Sequence, residues 1–254
     1  MTTLSMQLYS ARNFPPLGDR LKSLAALGYT DVEPFRGLYD DVEGLKAGLE
    51  ANDLTARSGH YSLDLLETEF ERAIGIARTL GSEILVIPYL MPADRPNDVA
   101  GWEAVGNRVA AAARRVKAEG LRCAWHNHDF ELHAVPGADG RCPLEFILDA
   151  DPAVEWEADL AWVVRGNADP AAWLKRYSGR VSALHVKDIA PAGTKSDEDG
   201  WADVGEGTMD WAALFAAGRQ AGADLMVAEH DNPSDFERFA RTTIAAMQTY
   251  SKGA

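Results

Sequence analysis

The sequence predicts a single-domain α/β protein, a (β/α)8 TIM barrel that spans residues 1–254. Three observations lead to this fold class. The chain has the usual length of such a barrel, helical segments alternate with short apolar strands, and nearly every predicted strand ends in a polar residue. Strands that alternate with helices form right-handed βαβ units with a parallel sheet, and such barrels carry their active sites at the carboxyl ends of the strands.

Glycine marks the ends of four predicted helices. Gly28, Gly81, Gly120 and Gly222 each stand between a helical segment and an apolar strand. Because glycine adopts the left-handed backbone conformation at little cost, it is a common residue just after a helix. These four positions divide the chain into repeated units of helix and strand.

The first half of the chain contains four such units. Strands are predicted at residues 5–9, 31–33, 55–58 and 84–88. The helices that follow them are predicted at residues 16–26, 41–51, 65–80 and 98–119. Four strands and four helices in strict alternation are half of the expected barrel.

The second half supplies four more strands. The fifth is the apolar run 121–125, which leads into the motif WHNHDFEL at 125–132, and the other three are predicted to end at Asp159, His185 and Glu229. Asp139 and Gly140 predict a hairpin turn in the segment that connects the fifth strand to the next helix. Helices are predicted at residues 144–149 and to begin at Pro170, near residue 210 and at residue 233 or 234.

Composition and charge exclude several function classes. The hydrophobic share of 46% and the charged share of 25% are those of a globular domain, and the formal net charge of −14 would repel nucleic acid over most of the surface. Cys123 and Cys142 lack CxxC spacing, so we expect a reducing compartment and no structural zinc site. The N-terminus has no signal-peptide pattern and no apolar run is long enough to span a bilayer, so we expect a cytoplasmic protein without membrane contact.

Carboxylates and imidazoles gather at the predicted strand exits. Because these exits meet at one end of a barrel, we expect their side chains to lie close together. Oxygen and imidazole ligands without thiolates suit one divalent cation, namely Mn²⁺, Co²⁺, Fe²⁺, Mg²⁺ or Zn²⁺. The exit residues are Glu33, His60, Pro88, Tyr89, His126, His128, Asp159, His185 and Glu229.

Three of these residues are the preferred metal ligands, and each has an alternative. Asp159 precedes a helical segment and could serve as its N-cap. His185 could be a core histidine, but the following Lys187 favours the ligand interpretation. Glu229 shares its strand end with Asp231, a second carboxylate that could take its place.

The fifth strand offers three candidate ligands, His126, His128 and Glu131. One of them is expected to bind the metal, and the others to orient that ligand or to contact the substrate. The residues by themselves leave this choice open.

Further residues suggest substrate contacts. Trp162 could form an apolar wall for a sugar ring or pack as a core aromatic. Lys187 could polarise a carbonyl or pair with Asp188. Gly205 and Gly207 could offer backbone N–H groups to a phosphate, but a plain turn is the preferred interpretation because a lone GxG is weak evidence.

At these motifs the chain resembles the sugar phosphate isomerase/epimerase superfamily, the xylose-isomerase-like TIM barrels that also include inosose dehydratases and an AP-endonuclease branch. The resemblance covers essentially the whole chain. It rests on the motifs HNHDFE (126–131), DLAW (159–162), HVKD (185–188), VGEG (204–207) and EHD (229–231).

The resemblance implies one divalent metal ion held by Glu, Asp, His and Glu from strands five to eight. Carried over by position, the last three are Asp159, His185 and Glu229. At strand five this sequence departs from the family, because His126 occupies the usual glutamate position. Glu131 is the nearest glutamate and is taken as the fourth ligand, with His126 and His128 as alternatives.

The resemblance also implies proton transfer next to the carbonyl of a small sugar or keto-sugar. Glu229 would be one base, Glu131 or His126 the other, and Lys187 a further catalytic group, while the metal would stabilise the enediolate. The implied substrate contacts are Glu33, His60, His128, Trp162 and Asp231.

The leading hypothesis is a metal-dependent sugar isomerase or epimerase. If strand five supplies an imidazole ligand, an inosose-dehydratase-like lyase that eliminates water becomes a serious competitor. A non-catalytic carbohydrate-binding barrel is a further alternative, and the acidic charge argues against DNA repair. No basic trio stands at the exits of strands seven and eight, so the substrate need not be phosphorylated. The resemblance suggests a homodimer or homotetramer.

Overall fold

The computed structural model describes residues 2–253, and Met1 and Ala254, the ends of the predicted domain, lie outside that range. Eight parallel strands form a nearly closed barrel, in the order β2-β1-β10-β7-β6-β5-β4-β3. The barrel strands are β1 (Thr3–Gln7), β2 (Asp31–Glu33), β3 (Ser58–His60), β4 (Ile84–Ile87), β5 (Arg122–His126), β6 (Val154–Asp159), β7 (Val181–Val186) and β10 (Leu225–Ala228). The predicted TIM barrel is confirmed.

The barrel closes between β2 and β3 through a few backbone hydrogen bonds. Thr55 pairs with Asp31 as an isolated parallel bridge, and the backbone N–H of Val32 donates to the Thr55 carbonyl at 2.9 Å. The backbone N–H of His60 donates to the Pro34 carbonyl at 2.8 Å. This seam fixes His60 beside the exit of β2.

The helices pack around the outside of the barrel. They are α1 (Leu17–Leu27), α2 (Val42–Glu50), α3 (Leu63–Thr68), α4 (Phe70–Leu80), α5 (Val99–Ala118), α6 (Pro143–Leu148), α7 (Leu160–Arg165), α8 (Pro170–Arg176), α9 (Trp211–Ala221) and α10 (Phe236–Gly253). Gly28, Gly81 and Gly222 follow α1, α4 and α9 in the left-handed conformation, as predicted. No helix within residues 2–253 is long and apolar enough to cross a membrane.

Several element boundaries differ from the sequence-based predictions. The first strand ends at Gln7 because residues 8–11 form a 3-10 helix. The predicted helix 65–80 is two helices, with Glu69 between them in a non-helical conformation. The third strand begins only at Ser58, after the bridge at Thr55. Asp139 and Gly140 form a turn with positive φ angles, but no strands flank it.

Two elements lie on the barrel mouth, a helix that one interpretation of Asp159 predicted and a hairpin that was not predicted. Helix α7 starts directly after β6, because the Asp159 carboxylate accepts the backbone N–H of Trp162 and caps the helix. A two-stranded antiparallel hairpin, β8 (Asp188–Ile189) and β9 (Trp201–Ala202), stands above β7. Both elements lie where the predicted site residues emerge.

The interior of the barrel changes from apolar to polar along the strands. Its apolar layer contains Ile84, Val86, Ala124, Ala183, Leu225 and Val227. Because side chains alternate along a strand, the residues two positions after Ala124, Ala183 and Val227 also face the interior. These residues are His126, His185 and Glu229, so the fold itself places imidazoles and carboxylates above an apolar floor.

Candidate active site and metal centre

The deepest part of the site is a network of two carboxylates and two imidazoles. Nε2 of His60 lies 3.0 Å from a carboxylate oxygen of Glu33 and 3.0 Å from one of Glu157. Nε2 of His185 lies 2.9 Å and 3.0 Å from the same two oxygens. All four side chains are buried, and the Gln7 amide donates to Glu33 at 2.7 Å.

The upper part of the site is organised by Lys187, a fully buried ammonium group. Its Nζ lies 2.9 Å from Glu229 Oε2, 3.2 Å from Asp159 Oδ2 and 3.0 Å from the Asp231 carboxylate. Nδ1 of His185 lies 2.9 Å from the same Glu229 oxygen. Three carboxylates from two strand ends therefore converge on one lysine.

These contacts set the protonation states of the carboxylates. Burial alone would raise the pKa of Glu229, but Lys187 and His185 outweigh it and hold the pKa well below the usual value. Burial raises the pKa of Asp159 to about 6, against the opposing effect of Lys187. The pKa of Lys187 rises despite its burial, because three carboxylates stabilise the ammonium. Lys187 and Glu229 are therefore a charged pair at neutral pH.

The histidines divide into charged and neutral ones. Burial opposes the charged form of His60, but Glu33 and Glu157 raise its pKa to about 9. His126 has no such support, so burial and the nearby charge of His185 hold its pKa well below the usual value. Burial likewise lowers the pKa of His128 to about 3. His126 and His128 are therefore neutral imidazoles, the form that binds metals.

Among the residues that the structure describes, two overlapping sets of buried side chains could hold a cation, and in each set the ligand atoms lie within 4.8 Å of one another. One set comes from the ends of β5, β6 and β7 and the exit of β10. The other lies deeper and shares two histidines with the first. The first set is His126, Asp159, His185 and Glu229, and the second is His60, His126, Glu157 and His185.

The donor atoms fit a divalent cation. Nδ1 of His126 lies 3.4 Å from Glu157 Oε2, yet it has no hydrogen-bond partner among residues 2–252, and neither has Oε1 of Glu157. A buried polar atom without a partner costs free energy that a bound ligand would recover. Imidazole and carboxylate are also the donor types that Mn²⁺, Co²⁺, Fe²⁺ and Zn²⁺ accept. His126 is already neutral. Burial opposes the charged form of His185, but Glu157 and Glu229 raise its pKa, so it would release its proton on binding a cation.

A cavity of about 770 Å³ opens above these groups. His60, His126 and Glu229 form part of its floor, and Trp162 and Tyr89 are part of its wall. The His128 ring lies between the two, with its centroid 4.8 Å from Tyr89 and 5.3 Å from Trp162. Trp162 also packs edge-on against Trp201 at 4.9 Å, so it is a packed aromatic that lines the cavity, and its contact with a sugar stays a prediction.

Glu131 lies apart from the candidate ligands. Its Oε1 accepts from Trp125 Nε1 at 3.2 Å and its Oε2 accepts from the backbone N–H of His128 at 2.8 Å. It belongs to neither ligand set and does not line the cavity, and burial raises its pKa to about 8. The structure brings His126, the alternative, to the position for which the sequence suggested Glu131.

The other predicted site residues lie around this centre. Asp159 is the N-cap that one interpretation predicted, because Oδ1 caps α7 at 2.9 Å, while Oδ2 lies 3.2 Å from Lys187. Its role as a metal ligand stays a prediction. Asp231 lies beyond Glu229 and contacts Lys187 without joining either ligand set. Glu33, His60 and His128 surround the candidate ligands, as their strand positions predicted.

The glycine-rich segment after β9 binds a carboxylate of the protein itself. Backbone N–H groups of Gly205, Gly207 and Met209 donate to Asp188 at 3.0, 3.2 and 3.1 Å. A Cβ atom at Gly207 would lie 2.1 Å from Asp188 Oδ1, so this glycine is required for the close approach. The plain-turn interpretation is the one that the structure realises.

Sequence reasoning missed two residues of the network, Glu157 and Gln7. A usable signal for Glu157 was the spacing of Glu155, Glu157 and Asp159, because alternate residues of a strand share one face. Acidic side chains on the inner face of a barrel strand need partners. Gln7 was hidden by the two-residue error in the end of the first strand.

Comparisons with known proteins give the same fold. The sequence profile of the xylose isomerase-like TIM barrel family matches residues 21–250. No curated protein matches this sequence significantly. A sugar phosphate isomerase/epimerase from Parabacteroides distasonis superimposes with a TM-score of 0.81 at 22% identity, over 97% of this chain and 93% of that one.

Two further solved structures are similar. The IOLI protein with a bound zinc atom has a TM-score of 0.78 at 16% identity, over 100% of this chain and 99% of that one. The probable 3-DHS dehydratase AsbF from Bacillus anthracis has a TM-score of 0.74 at 12% identity, over 97% and 98% of the two chains. At these identities the structural likeness shows a common fold alone.

Proposed function

This chain belongs to the xylose isomerase-like TIM barrel family, and we propose that it is a divalent-metal-dependent enzyme that isomerises or epimerises a small sugar or keto-sugar. The superfamily that its motifs predicted is thereby confirmed. One observation carries the proposal further than the fold: His126, Asp159, His185 and Glu229 converge from four different strand ends, and His126 and Glu229 line a cavity large enough for a sugar.

We propose these four residues as the metal ligands, with His126 in the strand-five position in place of Glu131. A divalent cation bound there would act as a Lewis acid on the substrate carbonyl. The donor set suits Mn²⁺, Co²⁺, Fe²⁺, Mg²⁺ or Zn²⁺. The zinc of the IOLI structure makes zinc one of the cations to test.

The proton-transfer group in this proposal is Glu229, which Lys187 supports. Glu229 lines the cavity and is held as a carboxylate by Lys187, so it can accept a proton from the carbon next to the carbonyl. Lys187 does not line the cavity, but its ammonium lies 2.9 Å from Glu229 and keeps this base ionised from behind. His128 and Trp162 line the same cavity and would confine the sugar.

Epimerisation with inversion needs a second base on the opposite face of the substrate. Glu131, the carboxylate predicted for that role, is bonded to Trp125 and His128 and does not line the cavity. This arrangement favours reactions that one base can perform, which are aldose–ketose isomerisation and elimination of water. A dehydratase is therefore the second candidate, and the likeness to the probable 3-DHS dehydratase is consistent with it.

The test begins with the metal content of the purified protein. We expect near-stoichiometric divalent metal in the wild type and its loss in an Asp159→Ala/His185→Ala double variant. Asp64→Ala/His133→Ala, which changes the same residue types at exposed positions, serves as the control and should keep the metal. A wild type that stays metal-free after incubation with Mn²⁺, Co²⁺ and Zn²⁺ would refute the proposed centre.

The reaction is then tested by solvent deuterium exchange into a panel of ketoses and keto-inositols. Metal-dependent exchange at the carbon next to the carbonyl is the expected result, since both candidate reactions begin with loss of that proton. Product analysis separates them, because only a dehydratase forms a conjugated product with loss of water. Binding without exchange for every sugar bound would instead indicate the non-catalytic barrel.

A further inference from the structure

Three arginines line the cavity without a carboxylate partner. They are Arg12, Arg36 and Arg95, and within residues 2–252 none of them has a carboxylate oxygen within 4.0 Å. This is unusual in a chain with a net charge of −14. Outside the cavity, for example, Arg108 and Arg238 are bound to carboxylates at 2.8 and 2.6 Å.

Two of these arginines are held in place by the backbone and by aromatic rings. Arg12 donates to the Tyr9 carbonyl at 2.9 Å, and its guanidinium lies 3.8 Å from the Tyr9 ring centroid. Arg95 donates to the Leu90 carbonyl at 3.0 Å and lies 3.4 Å from the ring centroid of Phe130. Each keeps further N–H groups for a ligand, in the fork geometry that suits carboxylate and phosphate.

The third arginine, Arg36, lines the same side of the cavity opening. Arg36 is exposed, and its Nη1 lies 3.5 Å from Ser62 Oγ, which also lines the cavity. The four residues Arg12, Arg36, Ser62 and Arg95 follow β1, β2, β3 and β4, which are neighbours around the barrel. The proposed metal ligands come from the other four strands.

We propose that the substrate carries an anionic group, a carboxylate or a phosphate, that is bound by Arg12, Arg36 and Arg95 while its carbonyl end faces Glu229. This inference rests on the proposed function and adds the substrate class. The cavity of about 770 Å³ leaves room for a sugar between the two halves. The sequence offered no basic trio at strand exits seven and eight, and the structure assembles one on the opposite side.

The charges of the remaining wall support this orientation. Asp129 and Asp199 also line the cavity, and they lie after β5 and between β8 and β9, on the metal side of the mouth. Asp231 follows β10, the neighbour of β1, and interacts electrostatically with Arg12 at the boundary between the two halves. Asp129 and Asp199 would repel an anionic group from the metal half. The mouth is therefore polarised, and an anionic sugar would bind in a single direction.

The test measures binding to protein that has been treated with EDTA and dialysed, so that no anion can bind through a metal. Calorimetry would use inorganic phosphate, malonate, D-fructose, D-fructuronate and D-fructose 6-phosphate. The pocket variant is Arg12→Gln/Arg36→Gln/Arg95→Gln. The control is Arg72→Gln/Arg78→Gln/Arg114→Gln, which removes the same charge from exposed positions on α4 and α5.

We expect the wild type and the control to bind at least one anionic sugar at least about tenfold more tightly than D-fructose, and the pocket variant to lose that preference. Preference for D-fructuronate and malonate identifies a carboxylate, and preference for D-fructose 6-phosphate and inorganic phosphate identifies a phosphate. Absence of any preference in the wild type, or equal losses in both triple variants, overturns the inference.

The binding test can succeed or fail independently of the test of the proposed function. Binding is read without metal and without turnover, so anion binding can succeed even where metal-dependent exchange fails. Conversely, metal-dependent exchange together with no anion preference would remove the arginine subsite and leave the proposed function standing.

Discussion

At the scale of single residues, the site is governed by which buried groups are charged. Lys187 holds Glu229 ionised, and the pair Glu33 and Glu157 holds His60 protonated. His126 has no comparable carboxylate support and is neutral. The arrangement separates the neutral imidazole of His126, the proposed metal ligand, from charged groups within one small volume, and the proposed proton transfer needs such a separation.

Glu131 gives a residue-scale prediction about pH. Its folded-state pKa is about 8 because of burial, against 4.5 for the free side chain, so its contribution to stability is fully present below pH 4.5 and is lost as pH rises through 8. Between pH 5.5 and 7.5, the unfolding free energy of Glu131→Gln should therefore rise by about 2 kcal/mol relative to wild type.

Urea unfolding at pH 5.5, 6.5 and 7.5 provides the measurement. The variant itself can lose a hydrogen bond to Trp125 or His128, so the comparison is the change with pH and not the difference at one pH. A difference between the two proteins that is constant over this range would mean that Glu131 is ionised in the folded state throughout.

At the scale of elements, hydrogen bonds from short loops and helix caps hold the strand ends in the positions that form the site. Asn127 is an example, because its Oδ1 accepts from the backbone N–H of Asp159 at 3.0 Å and from Trp156 Nε1 at 2.9 Å. Its Nδ2 donates to the Asp159 carbonyl at 3.1 Å. The end of β5 thus fixes the end of β6, and with it one proposed ligand.

Helix packing gives an element-scale prediction about two glycines. A Cβ atom at Gly106 in α5 would lie 2.4 Å from the Phe146 carbonyl oxygen in α6, whereas Gly75 in α4 has no atom within 4 Å. We expect Gly106→Ala to destabilise the protein by about 1 to 3 kcal/mol through overpacking. Gly75→Ala, the matched control, should stabilise it by about 1 kcal/mol because alanine favours the helix.

Urea unfolding followed by circular dichroism would compare these two variants with the wild type. The two substitutions add the same methyl group to a helix, so their difference isolates the contact between α5 and α6. Equal stabilisation by both would show that these helices lie farther apart than the structure has them.

At the scale of the whole molecule, the barrel gathers ligands that are far apart in the chain. His126, Asp159, His185 and Glu229 come from four strands and meet only when the barrel is folded. A cation bound by all four would therefore bind the folded state far more tightly than the unfolded one. The predicted oligomeric state and the predicted cytoplasmic location belong to this scale too, and both stay predictions.

The corresponding prediction concerns thermal stability. Mn²⁺ at 100 times its Kd should raise the free energy of unfolding by about 2.7 kcal/mol. For a chain of this size, that corresponds to an increase in Tm of roughly 5 to 10 °C. His126→Ala should abolish the increase, and Glu131→Gln should keep it.

Scanning fluorimetry of EDTA-treated protein with and without Mn²⁺ measures this effect. The two variants decide the strand-five ligand, because each removes one of the competing side chains. The reverse pattern, with the increase kept in His126→Ala and lost in Glu131→Gln, would make Glu131 the ligand.

The sequence by itself was enough to predict the barrel and most of the polar residues at the carboxyl ends of its strands. Glycines at helix ends and alternating apolar strands are local patterns, and the parallel arrangement of the strands follows from them. Asp159, His185 and Glu229 were found in this way, because the carboxyl ends of parallel barrel strands must meet at one mouth.

Only the tertiary structure decided which neighbouring side chains face that mouth. His126 points inward because it stands two residues after Ala124, while Glu131 turns back to Trp125. The positions of Arg12, Arg36 and Arg95 around the cavity depend on where three separate loops end. No local sequence pattern determines those positions. Strand alternation and long-range packing set these directions, since they arise only when the eight strands close around a common interior.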